Sequence, residues 1–144
     1  MSNVREILGK KGSTVWTVHS KDTVFDTLKL MAEKNVGAVI VMDGANIAGI
    51  FSERDFARHA VKENLNLKET QINTMMTSRI LFVAPSQTTE ECMSLMTSKH
   101  IRHLPVIENN QLVGLISIGD VVKKIIEDHQ FSISQLEKYV TGGL

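Results

Sequence analysis

The stretch VHSKDTVFDTLKLMAEKNVGAVIVMDGANIAGIFSERD, residues 18–55, lies without a gap over VAPSQTTEECMSLMTSKHIRHLPVIENNQLVGLISIGD, residues 83–120, at a constant offset of 65. Nine of the 38 pairs are identical: Val18/Val83, Thr23/Thr88, Leu30/Leu95, Met31/Met96, Lys34/Lys99, Val41/Val106, Gly49/Gly114, Ser52/Ser117 and Asp55/Asp120. Chance would give about two or three in such a self-comparison. Apolar-for-apolar exchanges such as Val36/Ile101, Ile47/Leu112 and Phe51/Ile116 extend the match. The chain is a tandem duplication, and each copy is one unit of structure.

Each copy reads as strand, helix, strand, strand, helix. Val15–Val18 and Ile80–Val83 are short β-rich runs. Val24, Leu28 and Met31 stand at i, i+4, i+7, and Thr89, Met93 and Met96 repeat that helical spacing. The apolar runs Ala38–Met42 and Leu104–Ile107 predict strands buried on both faces. The turn-rich Asp43–Asn46 and Glu108–Gln111 fold each run back as a hairpin into Ile47–Phe51 and Leu112–Ile116. The last helix of each copy opens at Ser52–Asp55 or Ser117–Asp120, a serine followed three residues later by an acid, close to a capping box. Outside the copies lie amphipathic segments at Val4–Leu8 and Ser132–Val140. The expected division is an N-terminal segment 1–13, a first repeat 14–61, a linker 62–75, a second repeat 76–128 and a C-terminal helical segment 129–144. The fold class is α/β (α+β), with two β-α-β-β-α repeats related by a pseudo-twofold axis, because neither copy alone covers its sheet.

Composition narrows the function. The chain has 144 residues, with sixteen basic and sixteen acidic side chains and no formal net charge. A nucleic-acid binder held by phosphates usually needs a basic excess, so that partner is excluded. Hydrophobic residues make up 42%, enough for a folded core. Cys92 is the single cysteine, which rules out an internal disulfide. No run approaches the ~18 apolar residues of a membrane span, and Met1–Glu6 lacks a signal-peptide layout. A soluble, cytoplasmic protein without a membrane partner is expected.

The paired Ser-x-x-Asp sequences admit two readings. Structurally, serine caps a free amide and aspartate complements the positive helix end. Functionally, an ionised aspartate offers two acceptor oxygens that match the two hydroxyl donors of a ribose. Neither GxGxxG nor GxxxxGK[ST] occurs. His100 and His103 are three apart but have no third ligand by spacing, so no metal is assigned. A Ser117–His103–Asp120 triad lacks the nucleophile elbow, and no catalytic residue is assigned. Cys92, among Met93, Leu95 and Met96, is a core thiol. Arg5, Lys10, Lys11 and Lys62 read as solvated charge. Arg102 and His103 precede a buried strand and Arg54 flanks Asp55, so these three are candidate phosphate contacts, with Arg58 and Lys21 as further candidates.

Taken together, Val36–Val41 (VGAVIV), Gly49–Asp55 (GIFSERD), Met76-Thr77, Ile101–Val106 (IRHLPV) and Gly114–Asp120 (GLISIGD) resemble a tandem pair of cystathionine-β-synthase (CBS) domains, a Bateman module. The resemblance spans about Thr14 to Ile126. It implies two repeats packed sheet to sheet and a binding module rather than an enzyme. The implied ligand is an adenosine nucleotide, AMP in the first place, with ADP, ATP, NAD(H) or S-adenosylmethionine as other candidates and no catalytic cofactor. Asp55 and Asp120 would grip the ribose, helped by Ser52 and Ser117. Thr14, Val15, Arg79 and Ile80 would meet adenine through backbone groups, and Arg102 and His103 would face phosphate. The resemblance also implies a homodimer forming a four-repeat disc, which signals to an effector protein in trans.

The copies differ where charge matters. Gly37-Ala38 replaces the basic pair Arg102-His103, and Gly119 replaces Arg54. Two unequal sites follow, with the Asp120 site the better candidate for an AMP-like ligand. The alternative is a structural or assembly module with vestigial sites.

Overall fold

The computed structural model of the chain describes residues 2–62 and 64–140. Among them the elements run α1 (Val4–Lys11), β1 (Thr17–His19), α2 (Val24–Lys34), β2 (Ala38–Asp43), β3 (Asn46–Ser52), α3 (Glu53–His59), α4 (Thr89–Lys99), β4 (His103–Glu108), β5 (Gln111–Ser117) and α5 (Ile118–Val140). A single 3-10 turn, Ile72–Thr74, stands between α3 and α4. Two compact units result. One comprises Val15–Leu81; the other joins the chain up to Thr14 with the chain from Phe82 onward.

In the Val15–Leu81 unit, β1 pairs parallel with β2 and β2 antiparallel with β3. Thr23 caps α2 by accepting from the Asp26 amide, and Asn35 ends it in the left-handed region at φ 53°. The β2 run is buried from Ala38 to Val41, as an unbroken apolar run requires. Phe51, Val39, Val41, Val24 and Met31 form the core, and Ile72 and Met75 complete it. The stretch expected to be a linker therefore contributes two core side chains and lies wholly in this unit.

The other unit repeats the plan with differences. Thr88 caps α4 in a reciprocal box with Glu91, and His100, weighed above as a metal ligand, ends the helix in the left-handed region at φ 55°. The β4–β5 hairpin turns through Asn109 and Asn110, both at positive φ, the primed geometry that suits strand twist. Both hairpins shift register at matching places, Val41/Met42 and Val106/Ile107. The strand expected at Ile80–Val83 is reduced to one parallel bridge, Val83 to Val106. The C-terminal segment expected from Ser132 is not separate, because α5 continues unbroken for 23 residues. No Gly or Pro interrupts Val121–Val140, so nothing stops the helix.

The N-terminal segment and the 3-10 turn play the same part in the two units. Val4 and Ile7 enter one core as Ile72 and Met75 enter the other. The Val4 amide donates to Gln87 O and the Arg5 amide to Pro85 O; the Ile72 amide donates to Asp22 O and the Asn73 amide to Ser20 O. Matching bridges join Asn3 to Thr88 and Gln71 to Thr23. These donors are related by an offset of 68 and their acceptors by 65. The duplication is thus longer than its gapless part, and each unit is closed by the chain that precedes the other repeat.

Candidate functional site

Each Ser-x-x-Asp sequence forms the N-terminus of the helix that leaves its hairpin. In the Val15–Leu81 unit, Ser52 caps α3. Its Oγ accepts from the Asp55 amide at 3.3 Å, while Asp55 Oδ2 accepts from the Ser52 amide at 2.8 Å and hydroxyl at 3.0 Å. The free Oδ1 edge is taken by the Thr77 hydroxyl at 3.0 Å. Asp55 is only 7% exposed, so its carboxylate is satisfied from within the unit.

Thr77 arrives there through a backbone bridge to Ile50, with N–O distances of 2.8 and 3.0 Å. That approach needs Gly49: an added Cβ would come within 2.7 Å of both the Thr77 carbonyl and Met76 Sδ. Gly114 is crowded instead by the Leu8 side chain, at 2.7 and 2.8 Å.

In the other unit the same box closes between Ser117 and Asp120. The Ser117 amide donates to Asp120 Oδ2 at 2.8 Å, and the Asp120 amide to Ser117 Oγ at 3.1 Å. Here the second partner is charged. Lys11, from the end of α1, donates to Asp120 Oδ2 at 2.7 Å and to the Leu115 carbonyl at 2.8 Å. Burial opposes ionisation of Asp120, yet the Lys11 ammonium and the Ser117 donors outweigh it, and the carboxyl lies below its ordinary value. Among the described residues no hydrogen bond engages Asp120 Oδ1. Lys10, Lys11, Asp120, Lys123, Lys124 and Glu127 line a pocket of about 90 Å³. That is room for roughly three waters, several-fold less than a nucleoside needs.

The other expected residues divide by position. Arg102 is exposed and its carbonyl accepts from the Ile118 amide at 2.8 Å, while His103 opens β4 directly opposite Ser117. Both therefore share the hairpin end with Asp120. Arg54 and Arg58 are exposed on α3, one turn apart, beside Asp55. Val15 precedes Trp16, whose carbonyl accepts from the Ile40 amide, so it runs to the Ser52 end of its sheet. Thr14 and Arg79 are exposed and Ile80 half-buried, all in irregular backbone. Lys21 follows β1, whose last residue pairs with Met42, so it stands at the opposite end of the sheet from Ser52.

Lys11 and Thr77 are the partners that sequence reasoning did not assign. Lys11, Arg5 and Lys10 were expected to be solvated; they pair with Asp120, Glu108 and Glu127. The signal was available in the second offset of 68, which aligns Val4, Ile7 and Leu8 with Ile72, Met75 and Met76 and so brings both preceding segments to the helix starts. Cys92 is fully buried, and burial with the Glu91 charge pushes its thiol up to about 11. Among the described residues no three His, Cys, Asp or Glu side chains group to hold a metal ion, and no helix is long and apolar enough to cross a membrane.

Comparison with known proteins follows the same division. The CBS domain family profile matches twice, at residues 4–62 and 71–127. The mitochondrial CBS domain-containing protein CBSX3 of Arabidopsis thaliana is 35% identical over 150 aligned positions, covering 99% of this chain and 72% of that protein. A solved CBS-domain protein from Burkholderia ambifaria MC40-6 is 49% identical with a TM-score of 0.85, over 88% of this chain and 96% of the other. The CBS domain pair of protein MJ0100, solved in complex with 5′-methylthioadenosine and S-adenosyl-L-methionine, shares the fold at a TM-score of 0.77 and 18% identity, over 89% and 98% of the two chains. With two matched repeats, two hairpins of one design and two capped aspartates, the chain belongs to the CBS domain family as a tandem pair.

Proposed function

We propose that the chain is a regulatory module that binds an adenosine nucleotide and signals to a partner protein in trans. The observation that carries this reading is Asp120. It is an ionised carboxylate fixed at the start of α5, among the described residues no hydrogen bond engages its Oδ1, and Arg102 and His103 stand at the same hairpin end. A ribose needs acceptors for two vicinal hydroxyls, and a phosphate needs cationic donors near a helix N-terminus. The adenosine ligands in the MJ0100 CBS pair support the ligand class. AMP is the first candidate, with ATP and NAD(H) behind it.

In this reading Asp120 and Ser117 take the ribose and Arg102 and His103 the phosphate. Asp55, Ser52 and Val15, with Arg54 and Arg58, form the second, unequal site. Two copies associate as a four-repeat disc. Regulation is a population shift: the nucleotide moves the module only as far as its affinities for two arrangements differ. A second reading, an assembly module with closed sites, draws on the satisfied Asp55 carboxylate.

Calorimetric titration with AMP, ADP, ATP, NAD⁺, NADH and S-adenosylmethionine, with 2′-deoxy-AMP as control, separates the two. Saturable binding that weakens without the 2′-hydroxyl and disappears in Asp120→Asn is expected. Silence across the panel favours the assembly module.

A further inference from the structure

The two capped aspartates are closed by partners of different kinds. Thr77 reaches Asp55 from a backbone that is bridged twice to Ile50 and pressed onto Gly49, so it cannot leave without breaking that bridge. Lys11 reaches Asp120 through its side chain alone, on a flexible four-carbon stem that is 37% exposed. Rotation about that stem releases both of its contacts, the carboxylate and the Leu115 carbonyl. The backbone around it is equally accessible. Val4 and Ile7 anchor α1 in the core and Leu8 lies on Gly114, whereas residues 9–14 are exposed and Gly12 ends the helix at φ 94°. Two lysines fasten this last turn, Lys10 to Glu127 at 3.1 Å and Lys11 to Asp120 at 2.7 Å.

Lys11 donates to the carboxylate that a ribose would need, and it sits on the same Oδ2 that the Ser117 amide uses. The ammonium therefore stands where a ligand's hydroxyl donor would stand. We infer that Lys11 is a displaceable internal ligand of Asp120, which keeps this site shut until a nucleotide drives it off, so that occupancy is reported at the last turn of α1. The inference rests on the nucleotide reading and adds how that site is regulated. Only solvent-screened contacts are exchanged, because Val4, Ile7 and Leu8 stay docked, and a ligand of ordinary affinity suffices. Asp55 has no such switch, since its partner is fixed by the backbone. The exchange also selects the ligand. A neutral nucleoside leaves the freed ammonium to water, whereas a phosphate gives it a new partner, so the latch favours phosphorylated ligands.

Brief acetylation of the folded full chain with an N-hydroxysuccinimide ester, read by mass spectrometry, tests this, with the exposed Lys29 as internal reference. Without ligand, Asp120→Asn should raise the labelling of Lys11 relative to Lys29 about fivefold, and saturating adenosine should raise it similarly in the wild type. In calorimetry Lys11→Met should bind adenosine about fivefold more tightly and gain less for AMP, while Lys11→Arg, which keeps the charge, should show no such gain. Circular dichroism should show each variant folded. Unchanged labelling of Lys11 in Asp120→Asn overturns the latch, and so does a gain shared equally by Lys11→Arg. Nucleoside binding that leaves Lys11 labelling as it was overturns the latch alone. Calorimetric silence from Lys11→Met with every ligand overturns the nucleotide reading and, with it, the opening step.

Discussion

Replacing Lys11 with methionine keeps an unbranched side chain, one atom shorter, and removes its charge. Two contacts go, the 2.7 Å pair with Asp120 and the 2.8 Å bond to the Leu115 carbonyl. The side chains are 37% and 24% exposed, so solvent screens the pair and only part of its Coulomb energy counts. An exposed pair contributes about 0.2–1 kcal/mol and a charged hydrogen bond somewhat more, which puts the loss near ~1 kcal/mol. For a chain of this size that lowers the melting temperature by about 3–5 °C. The effect carries a pH signature. A carboxyl lowered in the fold contributes stability above its unfolded value, and this is lost as pH falls through the folded one. The gap between wild type and Lys11→Met is therefore full at neutral pH and closes below about pH 4. Thermal melts by circular dichroism at several pH values measure it. Equal melting at pH 7, or a gap that persists in strong acid, refutes the assignment of Lys11 to Asp120. The same free energy reappears in binding. A ribose that takes the carboxylate must displace Lys11, so uncharged adenosine should bind Lys11→Met about fivefold more tightly. Weaker binding would mean that Lys11 assists the ligand instead.

Three other outcomes follow from the packing. Gly49→Ala meets a backbone carbonyl that is tied to Ile50, whereas Gly114→Ala meets only the mobile end of Leu8; urea unfolding should show a loss of about 2–3 kcal/mol for the first and about 1 kcal/mol for the second. Thr77→Val leaves Asp55 Oδ1 without its donor in a buried position and should cost about 1–2 kcal/mol by the same assay; an unchanged midpoint would remove Thr77 from the site. Cys92, buried and with its thiol pushed up to about 11, should resist a disulfide reagent at pH 8 in the native chain and react at once in denaturant. Rapid labelling of the folded protein would contradict its burial.

The repeat made much of this legible. Gapless identity located both hairpins, both helix starts and both aspartates, because local pattern and tertiary role coincide there. What escaped the sequence depends on partners distant in the chain. Ile80–Val83 has strand composition, yet only Val83 finds a neighbour, so propensity overstated it. The amphipathic pattern from Ser132 suggests a segment of its own, whereas no Gly or Pro stops α5 after Gly119 and the helix runs through. Lys11 and Ile72 looked like charge and linker, since a change of offset from 65 to 68 hides their equivalence to the opposite end of the duplication. Arg54 and Lys21 show the reverse limit: their charge was visible, but only sheet direction separates the residue beside Asp55 from the one at the far end.

The exchange of closing segments has a consequence during synthesis. Helix α1 leaves the ribosome first but docks on Val83, Leu104 and Val121, which leave it late. At about 5–20 residues per second, the roughly 114 residues between Ile7 and Val121 take about 6–23 s to appear. The 15–81 unit meets no such delay, because Ile72 and Met75 follow its hairpin directly. One half of the duplication can thus mature as it emerges, while Val4 and Ile7 remain uncovered until the other half is nearly complete. Those two side chains are where a nascent-chain chaperone would find this protein.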